Sequence, residues 1–364
     1  FALCWRRMNK KHNFYAGPAI LPAEVLEGAQ AAIREFGGTG LSLLEISHRS
    51  KAFEAVMDEA GALVLELMGL DSNYAVLFLT GGASSQFYMV PMNFLNEGER
   101  ACYVNSGVWA AKAIKEAALF GRVEVLASSE SSAFQFIPKD FAIPQDAAYL
   151  HITSNNTIYG TQYHRWPDAG DVPLFCDMSS DIFSRRLDFS KFSLIYAGAQ
   201  KNLGPAGVTL VVLRRSLLDR VQRKLPAMLQ YRTHAENGSM YNTPPVFPIY
   251  VSLLTLRWIR NRGLDAIEAQ NLEKATRLYG EIARNSCFYA PVAGDDRSWM
   301  NIVFRTSRPE LESVFLDRCK EANCVGLAGH RSAGGFRASL YNALGLESVD
   351  ALIQVMREFE RLHG

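Results

Sequence analysis

Hydrophobic and polar positions follow two different periods along the first part of the chain. Residues 22–36 and 51–68 place apolar side chains every three to four positions, which predicts two helices. Further along, helical patterns at 85–95 and 109–119 lie among short apolar runs. We interpret these runs as buried strands, and they cover residues 75–79, 101–104, 122–126, 147–152, 172–176, 193–197 and 207–213.

Strands that alternate with helices predict an α/β domain, in which a mainly parallel central sheet is flanked by helices. From about residue 263 the pattern changes to long helices with few strands, as in a smaller α+β domain. We therefore expect a large domain at 22–262 and a small C-terminal domain at 263–364, with an N-terminal segment, 1–21, packing on the small domain. A chain of 364 residues is long enough for two domains.

The overall charge points to no nucleic acid or membrane partner. The net charge is +1, so anion binding must come from individual arginines. No run of 18 apolar residues exists, and we expect no membrane span. The six cysteines form no CxxC pair and no zinc array, which favours free thiols in the cytoplasm and no metal site. The chain starts with Phe, and Met8 suggests that residues 1–7 are not native.

A lysine stands where lysine is uncommon, in the stretch YAGAQKNLGPAG at 196–207. Lys201 follows a predicted strand among small residues, and Asp177 ends the preceding strand. Upstream, the stretch TGGASSQF at 80–87 combines glycines, which leave backbone N–H groups accessible, with the start of a predicted helix. Both features are typical of phosphate-binding loops. A carboxylate, a desolvated lysine and a phosphate cradle at strand ends suit pyridoxal phosphate (PLP). The alternatives are an ordinary loop lysine and a plain strand-to-helix turn.

Two further residues lie at strand ends of the same domain. Trp109 begins a helix after one strand and could stack on a cofactor ring, and Thr157 follows another and could bind a ring hydroxyl. Taken singly, a core tryptophan and a turn threonine are the simpler interpretations. Ligands of open α/β sheets gather where the strands end, and there all of these features occur together.

Nine stretches resemble the phosphoserine aminotransferases, a family of class-V, fold-type I PLP enzymes. They run in order across nearly the whole chain, and AGAQKNLGPAG, NTPP and GHR…GGFRAS are the most specific motifs among them. The stretches are NFYAGPAILP (13–22), SHRSKAFE (47–54), GGASSQF (81–87), NSGVWAAKAIKEA (105–117), NNTIYGTQ (155–162), CDMSSDI (176–182), YAGAQKNLGPAG (196–207), NGSMYNTPP (237–245) and GHRSAGGFRASLYNA (329–343).

The resemblance implies a PLP site that two subunits of a homodimer share. Lys201 would form the Schiff base, Asp177 would face the pyridine nitrogen, Trp109 would stack on the ring and Thr157 would contact its hydroxyl. The residues implied for the cofactor phosphate are Ala83, Ser84 and Gln200 and, from the neighbouring subunit, Asn242 and Thr243.

The resemblance also implies the substrates. The enzyme would interconvert 3-phosphohydroxypyruvate and glutamate with phosphoserine and 2-oxoglutarate in serine biosynthesis, with a possible side activity on 4-phosphohydroxythreonine. Phosphoserine carries two anionic ends, and arginine suits both. Arg337 would bind the carboxylate, while Arg49 would form the phosphate pocket together with His330 and Arg331, the last two from the partner subunit. Surface or interdomain salt bridges are the alternative for each.

Three other functions remain open at this point. A serine/alanine–glyoxylate aminotransferase would use the same cofactor but need only the carboxylate arginine. A cysteine desulfurase would need a cysteine on a mobile loop, whereas Cys319 and Cys324 lie on or beside a predicted helix. A nucleotide-binding regulatory protein could use residues 81–87 as its phosphate loop, but the chain has neither GxGxxG nor a Walker lysine.

Overall fold

A computed structural model describes residues 11–364. The expectation that residues 1–7 are not native lies outside this range, as does the start of the N-terminal segment. The helices are α1 (Ala23–Arg34), α2 (Lys51–Met68), α3 (Gly82–Phe94), α4 (Val108–Ala117), α5 (Tyr231–Glu236), α6 (Val246–Arg262), α7 (Leu264–Arg284), α8 (Glu312–Glu321) and α9 (Leu346–His363). The strands are β1 (His12–Asn13), β2 (Tyr74–Leu79), β3 (Arg100–Asn105), β4 (Arg122–Ser128), β5 (Tyr149–Thr153), β6 (Asn155–Asn156), β7 (Thr161–Gln162), β8 (Leu174–Asp177), β9 (Leu194–Gly198), β10 (Thr209–Arg214), β11 (Phe288–Tyr289), β12 (Asn301–Thr306), β13 (Cys324–Val325) and β14 (Phe336–Ser339).

The central sheet of the described chain is mainly parallel, which confirms the predicted fold class. Its strand order is β2-β10-β9-β8-β5-β3-β4. Only β10 runs antiparallel to its neighbours β2 and β9. The loop between β9 and β10 is too short for a helical crossover, so the chain turns back along the sheet. This loop carries Lys201.

Both faces of the sheet are covered by helices, and the side chains of its strands alternate between two cores. On β3, Ala101 and Tyr103 belong to the core that includes α3 and α4. Cys102 and Val104 belong to the opposite core, which includes α2 and α6. Because side chains of a strand point alternately to its two faces, a strand buried on both faces reads as a continuous apolar run.

Helix α6 was not anticipated from the sequence. Its start is rich in proline, with Pro244 and Pro245 before the helix and Pro248 within its first turn. Proline is tolerated there because the first-turn N–H groups have no partner within the helix. Helix α6 packs against α1 and α2. Between residues 11 and 364, no helix has both the length and the apolar character that a membrane crossing requires.

The C-terminal part of the chain has its own core. Strands β11, β12 and β14 form a three-stranded antiparallel sheet, and its core is rich in phenylalanine and includes α7 and α9. Strand β1 pairs in parallel with β13, and Phe14 is completely buried in this core. We propose the domain boundary at Gly263, which separates α6 from α7.

Gly326 ties the N-terminal segment to the small domain, so Gly326→Ala should release that segment. Its φ is +84°, and a Cβ atom there would lie 2.6 Å from the backbone nitrogen of Tyr15. We expect the free energy of unfolding in urea to fall by about 2 kcal/mol. Gly280→Ala is the control, because Gly280 lies in α7 with open space around it. Alanine there should raise stability by about 0.5 kcal/mol, and equal effects of both changes would contradict the prediction.

Candidate active site

The residues expected at the site follow five strands whose carboxyl ends meet at one edge of the sheet. Strands β2, β3, β5, β8 and β9 all run in the same direction. In chain order, they lead to the loop at Gly81, to Trp109, to Thr157, to Asp177 and to Lys201. The fold therefore brings together segments that are distant in sequence.

Lys201 lies in a tight loop, and its amine is held by Thr157. The Lys201 Nζ donates a hydrogen bond to Thr157 Oγ1 at 3.3 Å. Ala199 O accepts hydrogen bonds from the backbone N–H groups of Lys201 and Gly204, both at 2.8 Å, which closes the loop. The pKa of Lys201 is lowered to about 8, mainly by burial and to a smaller extent by the nearby charge of Arg337, while the charge of Asp177 acts in the opposite direction. An amine in this state is available as a nucleophile near neutral pH.

Asp177 is the last residue of β8 and is buried beside the Lys201 loop. Its Oδ1 accepts a hydrogen bond from the Ser179 backbone N–H at 2.9 Å. Burial raises the pKa of Asp177, whereas the hydrogen bond from Ser179 and the charge of Lys201 act in the opposite direction. Strand β8 pairs with β9 so that Asp177 lies opposite Tyr196, a few residues before Lys201.

Trp109 stands at the start of α4, where two chain segments meet closely. Asn156 Nδ2 donates to Ser106 O at 2.7 Å, and a Cβ atom on Gly107 would lie 2.3 Å from that same nitrogen. Only glycine leaves room for this approach. The indole Nε1 of Trp109 is buried and has no hydrogen-bond partner among residues 11–364. It is an unused donor at the site.

The start of α3 has the backbone features on which the prediction of a phosphate cradle rests. Gly81 and Gly82 both have positive φ, and the Ser85 hydroxyl donates to Gly82 O at 3.0 Å. The backbone N–H groups of Ala83 and Ser84 lie in the first turn, where a helix offers them no carbonyl partner and its dipole favours an anion. At the edge of the Lys201 loop, Gln200 O accepts a hydrogen bond from Ala19 N at 2.9 Å.

Arg337 reaches the site from the small domain. Its Nη1 donates to the carbonyl oxygen of Thr157 at 3.2 Å, so that Thr157 contacts both Lys201 and Arg337. The Nε of Arg337 is buried without a partner in the described chain, and burial lowers the pKa of the guanidinium. A buried cation with an unused donor is suited to a carboxylate ligand.

His330 lies near Arg337 on the same chain, and its tautomer is fixed. The backbone N–H of Ser332 donates to His330 Nδ1 at 3.2 Å, so Nδ1 carries no proton and Nε2 is the donor. Burial lowers the pKa of His330, and the charges of Arg337, Arg331 and Lys112 lower it further. His330 and Arg331 thus lie near Arg337 of their own chain, and the expectation that they serve the phosphate pocket of the partner subunit stays a prediction.

Lys112 is a further positive charge near His330, and it is not among the residues predicted from the sequence. Its Nζ lies 4.6 Å from the centre of the Trp109 ring, and within residues 11–364 it forms no salt bridge. Lys112 follows Trp109 by three residues on α4, and residues at this spacing share a helix face. That spacing was the signal from which it could have been found.

Other predicted site residues lie on the surface of the single chain. Ser84, Arg49, Arg331, Asn242 and Thr243 are exposed. Hydrogen bonds of Arg49 and Asn242 in the described chain stay within their own segments: Arg49 N bonds to Ser47 and Asn242 Nδ2 to Thr243 O. Asn242 also lines a cavity of about 40 Å³ together with Thr80, just before the cradle of its own chain. The single chain therefore does not join Arg49, Asn242 and Thr243 to Lys201.

Comparison with known proteins reveals close relatives over nearly the whole chain. The family model of the class-V aminotransferases matches residues 11–352. A phosphoserine aminotransferase from Flavobacterium psychrophilum is 56% identical over 96% of this chain and 99% of its own. One from Bacteroides thetaiotaomicron is 55% identical over 97% of this chain and all of its own.

Solved structures agree with these sequence matches. A phosphoserine aminotransferase from Bacillus circulans subsp. alkalophilus superposes with a TM-score of 0.96 at 50% identity, covering 98% of this chain and 100% of its own. The chain belongs to the phosphoserine aminotransferase family. A PLP-bound family member from Trichomonas vaginalis has a TM-score of 0.91 at 36% identity, over 96% of this chain and 100% of its own.

The residues of this phosphoserine aminotransferase site fit PLP. Lys201 offers a desolvated amine and Asp177 a buried carboxylate, and the two interact electrostatically. The indole N–H of Trp109 and the backbone N–H groups at the start of α3 can donate hydrogen bonds to polar atoms of a ligand. These groups lie in the Lys201 loop, at the end of β8 and at the starts of α3 and α4.

The lowered pKa of Lys201 predicts the pH dependence of its reactivity in cofactor-free protein. Only the neutral amine reacts with trinitrobenzenesulfonate, so labelling of Lys201 should rise with pH around a midpoint of about 8. A lysine model peptide has its midpoint at about 10.4. Peptide mapping at several pH values measures the labelling of Lys201. A midpoint at Lys201 equal to that of the model peptide would contradict the prediction that burial lowers its pKa. Arg337→Met should raise the midpoint because it removes a nearby positive charge, and Asp177→Asn should lower it.

Proposed function

We propose that the protein catalyses the transfer of an amino group between glutamate and 3-phosphohydroxypyruvate, giving 2-oxoglutarate and phosphoserine. The observation that carries this proposal is the arrangement of Lys201, Thr157 and Arg337, which links the nucleophilic amine to a carboxylate-binding cation through a single residue. Relatives over 50% identical along nearly their whole length are named phosphoserine aminotransferases. A second substrate, 4-phosphohydroxythreonine, carries the same anionic groups and is proposed as a side activity.

The cofactor would be held by the residues that the site brings together. Lys201 would bond covalently to the PLP aldehyde, Asp177 would pair with the pyridine nitrogen, Trp109 would stack on the ring and Thr157 would contact its hydroxyl. The proposed phosphate ligands are Ala83, Ser84 and Gln200, with Asn242 and Thr243 from a second copy. Bound PLP would supply an electron-accepting ring that stabilises negative charge on the substrate's Cα.

Lys201 is the proposed acid and base. When not bonded to the cofactor, Nζ would accept the proton from the Cα of the amino donor and pass it on to the cofactor. In the second half-reaction it would carry a proton back to the Cα of the new amino acid. A pKa of about 8 allows both steps near neutral pH. Thr157 Oγ1, at 3.3 Å from Nζ, limits the positions that the amine can take. The first keto acid product would leave before the second keto acid binds, which gives ping-pong kinetics.

Charge determines which substrates bind. Arg337 would bind the α-carboxylate, and Arg49, His330 and Arg331 the phosphate, with His330 donating through Nε2. The side-chain carboxylate of glutamate would use the same pocket as the phosphate. An enzyme for serine or alanine needs only one cationic site, whereas the phosphate of phosphoserine is a second anion that additional cationic side chains can bind. The cationic group around His330 therefore favours phosphoserine over glyoxylate-linked transamination.

Arg331→Ala should selectively lower the activity with phosphorylated substrates. We expect kcat/KM for 3-phosphohydroxypyruvate to fall about a hundredfold, because a charge-assisted contact to the phosphate is lost. For hydroxypyruvate, which lacks the phosphate, the change should stay within about threefold. Arg49→Ala should behave in the same way. Coupled measurement of 2-oxoglutarate release compares the two acceptors.

The wild-type assay and Lys201→Ala serve as controls for this experiment. Lys201→Ala should abolish transfer to both acceptors and the visible absorption of the bound cofactor. Equal losses of Arg331→Ala on both acceptors would argue against a phosphate pocket. A wild-type protein that exchanges serine with glyoxylate faster than glutamate with 3-phosphohydroxypyruvate would refute the proposed reaction.

We also propose that the enzyme is a cytoplasmic homodimer. Five cysteines in the described chain are buried and free, as in proteins of a reducing compartment. Asn242 and Thr243 are exposed in the single chain, as are the large apolar side chains of Tyr241 and Leu44. Exposed apolar side chains beside predicted ligand residues suit a surface that a second copy covers.

Mixing two inactive variants tests the shared site. Lys201→Ala and the double variant Asn242→Ala/Thr243→Ala are each expected to be inactive alone. After the two are denatured and refolded together, half of the dimers are mixed and each has one complete site, so activity should recover to about a quarter of wild type. If Asn242 serves the cradle of its own chain instead, mixed dimers have no complete site and activity does not recover.

A further inference from the structure

Two buried asparagines join the large domain to the small one. Asn155 Nδ2 donates a hydrogen bond to Asn301 Oδ1 at 2.7 Å. Asn155 belongs to β6, which follows β5 of the central sheet and pairs with β7 in a separate two-stranded sheet, and Asn301 begins β12 of the small domain. Asn301 is completely buried and Asn155 is 2% exposed. We refer to this pair as the asparagine bridge.

The hydrogen bonds around the bridge fix the orientation of both amides. The second N–H of Asn155 donates to Ser180 Oγ at 2.8 Å, and its Oδ1 accepts from Ser298 Oγ at 2.5 Å. Asn301 Nδ2 donates to Ser339 Oγ at 2.9 Å and to the Tyr341 hydroxyl at 3.3 Å. Every N–H and carbonyl oxygen of the two amides is therefore paired. A 180° flip of either amide would place like groups against each other, so only one arrangement is satisfied.

Both ends of the bridge lie next to residues of the active site. Asn155 precedes Thr157 by two residues, and Thr157 contacts the amine of Lys201 and the guanidinium of Arg337. On the other side, Asn301 pairs with Ser339 across the β12–β14 ladder, and Arg337 lies two residues away on β14. The bridge thus runs alongside the contact between Thr157 and Arg337.

We propose that the asparagine bridge sets the separation between Lys201 and Arg337, and that Asn301 is a positioning residue for binding the substrate carboxylate. The contact from Arg337 Nη1 to Thr157 O is a single hydrogen bond on a long side chain, and alone it cannot define where the guanidinium lies. The buried amides hold β14 against the loop that carries Thr157. The carboxylate site is therefore formed before the substrate arrives, which lowers the entropic cost of binding.

The bridge also predicts that the two domains keep their relative position when substrate binds. Opening at this boundary would separate Asn155 from Asn301 and leave buried amide groups unpaired, which is unfavourable in the protein interior. A second asparagine, Asn342, links the same domains at a different place. Its Nδ2 donates to Phe183 O at 3.0 Å, and its Oδ1 accepts from Asn271 at 2.8 Å.

Asn301→Ala tests the proposal, and Asn342→Ala is the matched control. Both remove a completely or almost completely buried asparagine at the domain boundary, so both should lower stability. Only Asn301→Ala should raise the KM for glutamate, by about tenfold, while kcat stays within about twofold. A role in stability alone would instead reduce the amount of active enzyme, and so lower kcat with KM unchanged. Asn301→Ser retains a side-chain oxygen, and it replaces Asn301→Ala in these measurements if the alanine variant does not fold.

A second readout does not depend on turnover. Arg337 places a positive charge near Lys201, so releasing it should raise the pH midpoint of the bound cofactor's absorption change by about half a unit. Hydrogen exchange of the amides at 336–339 in cofactor-free protein should become faster in Asn301→Ala than in Asn342→Ala. An unchanged KM, or the same increase in both variants, would overturn the proposal.

This inference rests on the proposed function for the role of Arg337, yet the two can fail separately. If wild-type enzyme does not use 3-phosphohydroxypyruvate, the proposed reaction fails. The absorption and exchange measurements still report whether Asn301 positions Arg337. If the wild type shows the proposed activity and Asn301→Ala shifts neither KM nor the absorption midpoint, only the positioning role fails.

Discussion

The site depends on one desolvated amine that the fold keeps at the carboxyl edge of the sheet. Lys201 gives up much of its hydration in a loop between two buried strands, and the compensation comes from Thr157 and the carboxylate of Asp177. Neither partner neutralises it fully, since Thr157 is uncharged and burial raises the pKa of Asp177. The surroundings therefore leave a lysine that changes protonation state readily, as covalent and acid–base chemistry both require.

Thr157 has a central place in this arrangement because it faces both domains. Its hydroxyl accepts the hydrogen bond from Lys201, and its carbonyl oxygen accepts the one from Arg337. The Lys201 amine and the Arg337 guanidinium thus both contact one short segment, residues 155–162. The small domain holds this segment through Asn301 and through Ser298. The relative positions of Lys201 and Arg337 are therefore well defined, although the two residues belong to different domains.

Strand ends could be predicted from the sequence because apolar runs mark buried strands, and this placed Asp177, Thr157, Trp109 and Lys201 at one edge. The reversed direction of β10 was not predicted, since an apolar run carries no information on direction. The cation Lys112 and the two bridging asparagines were missed for another reason. Their importance arises from contacts between distant segments, and an asparagine in a polar stretch such as SNNT looks like any turn residue.

The pairing of β1 with β13 has a consequence for how the chain is made. A ribosome releases residues 12–13 early, but their partner strand at 324–325 emerges only near the end of synthesis. Until then Phe14 lacks the apolar core in which it is buried. The carbonyl oxygen of Ala16 likewise lacks its donor, the Tyr341 hydroxyl. The large domain can build its sheet during translation, whereas β14, which carries Arg337, is added to the site last.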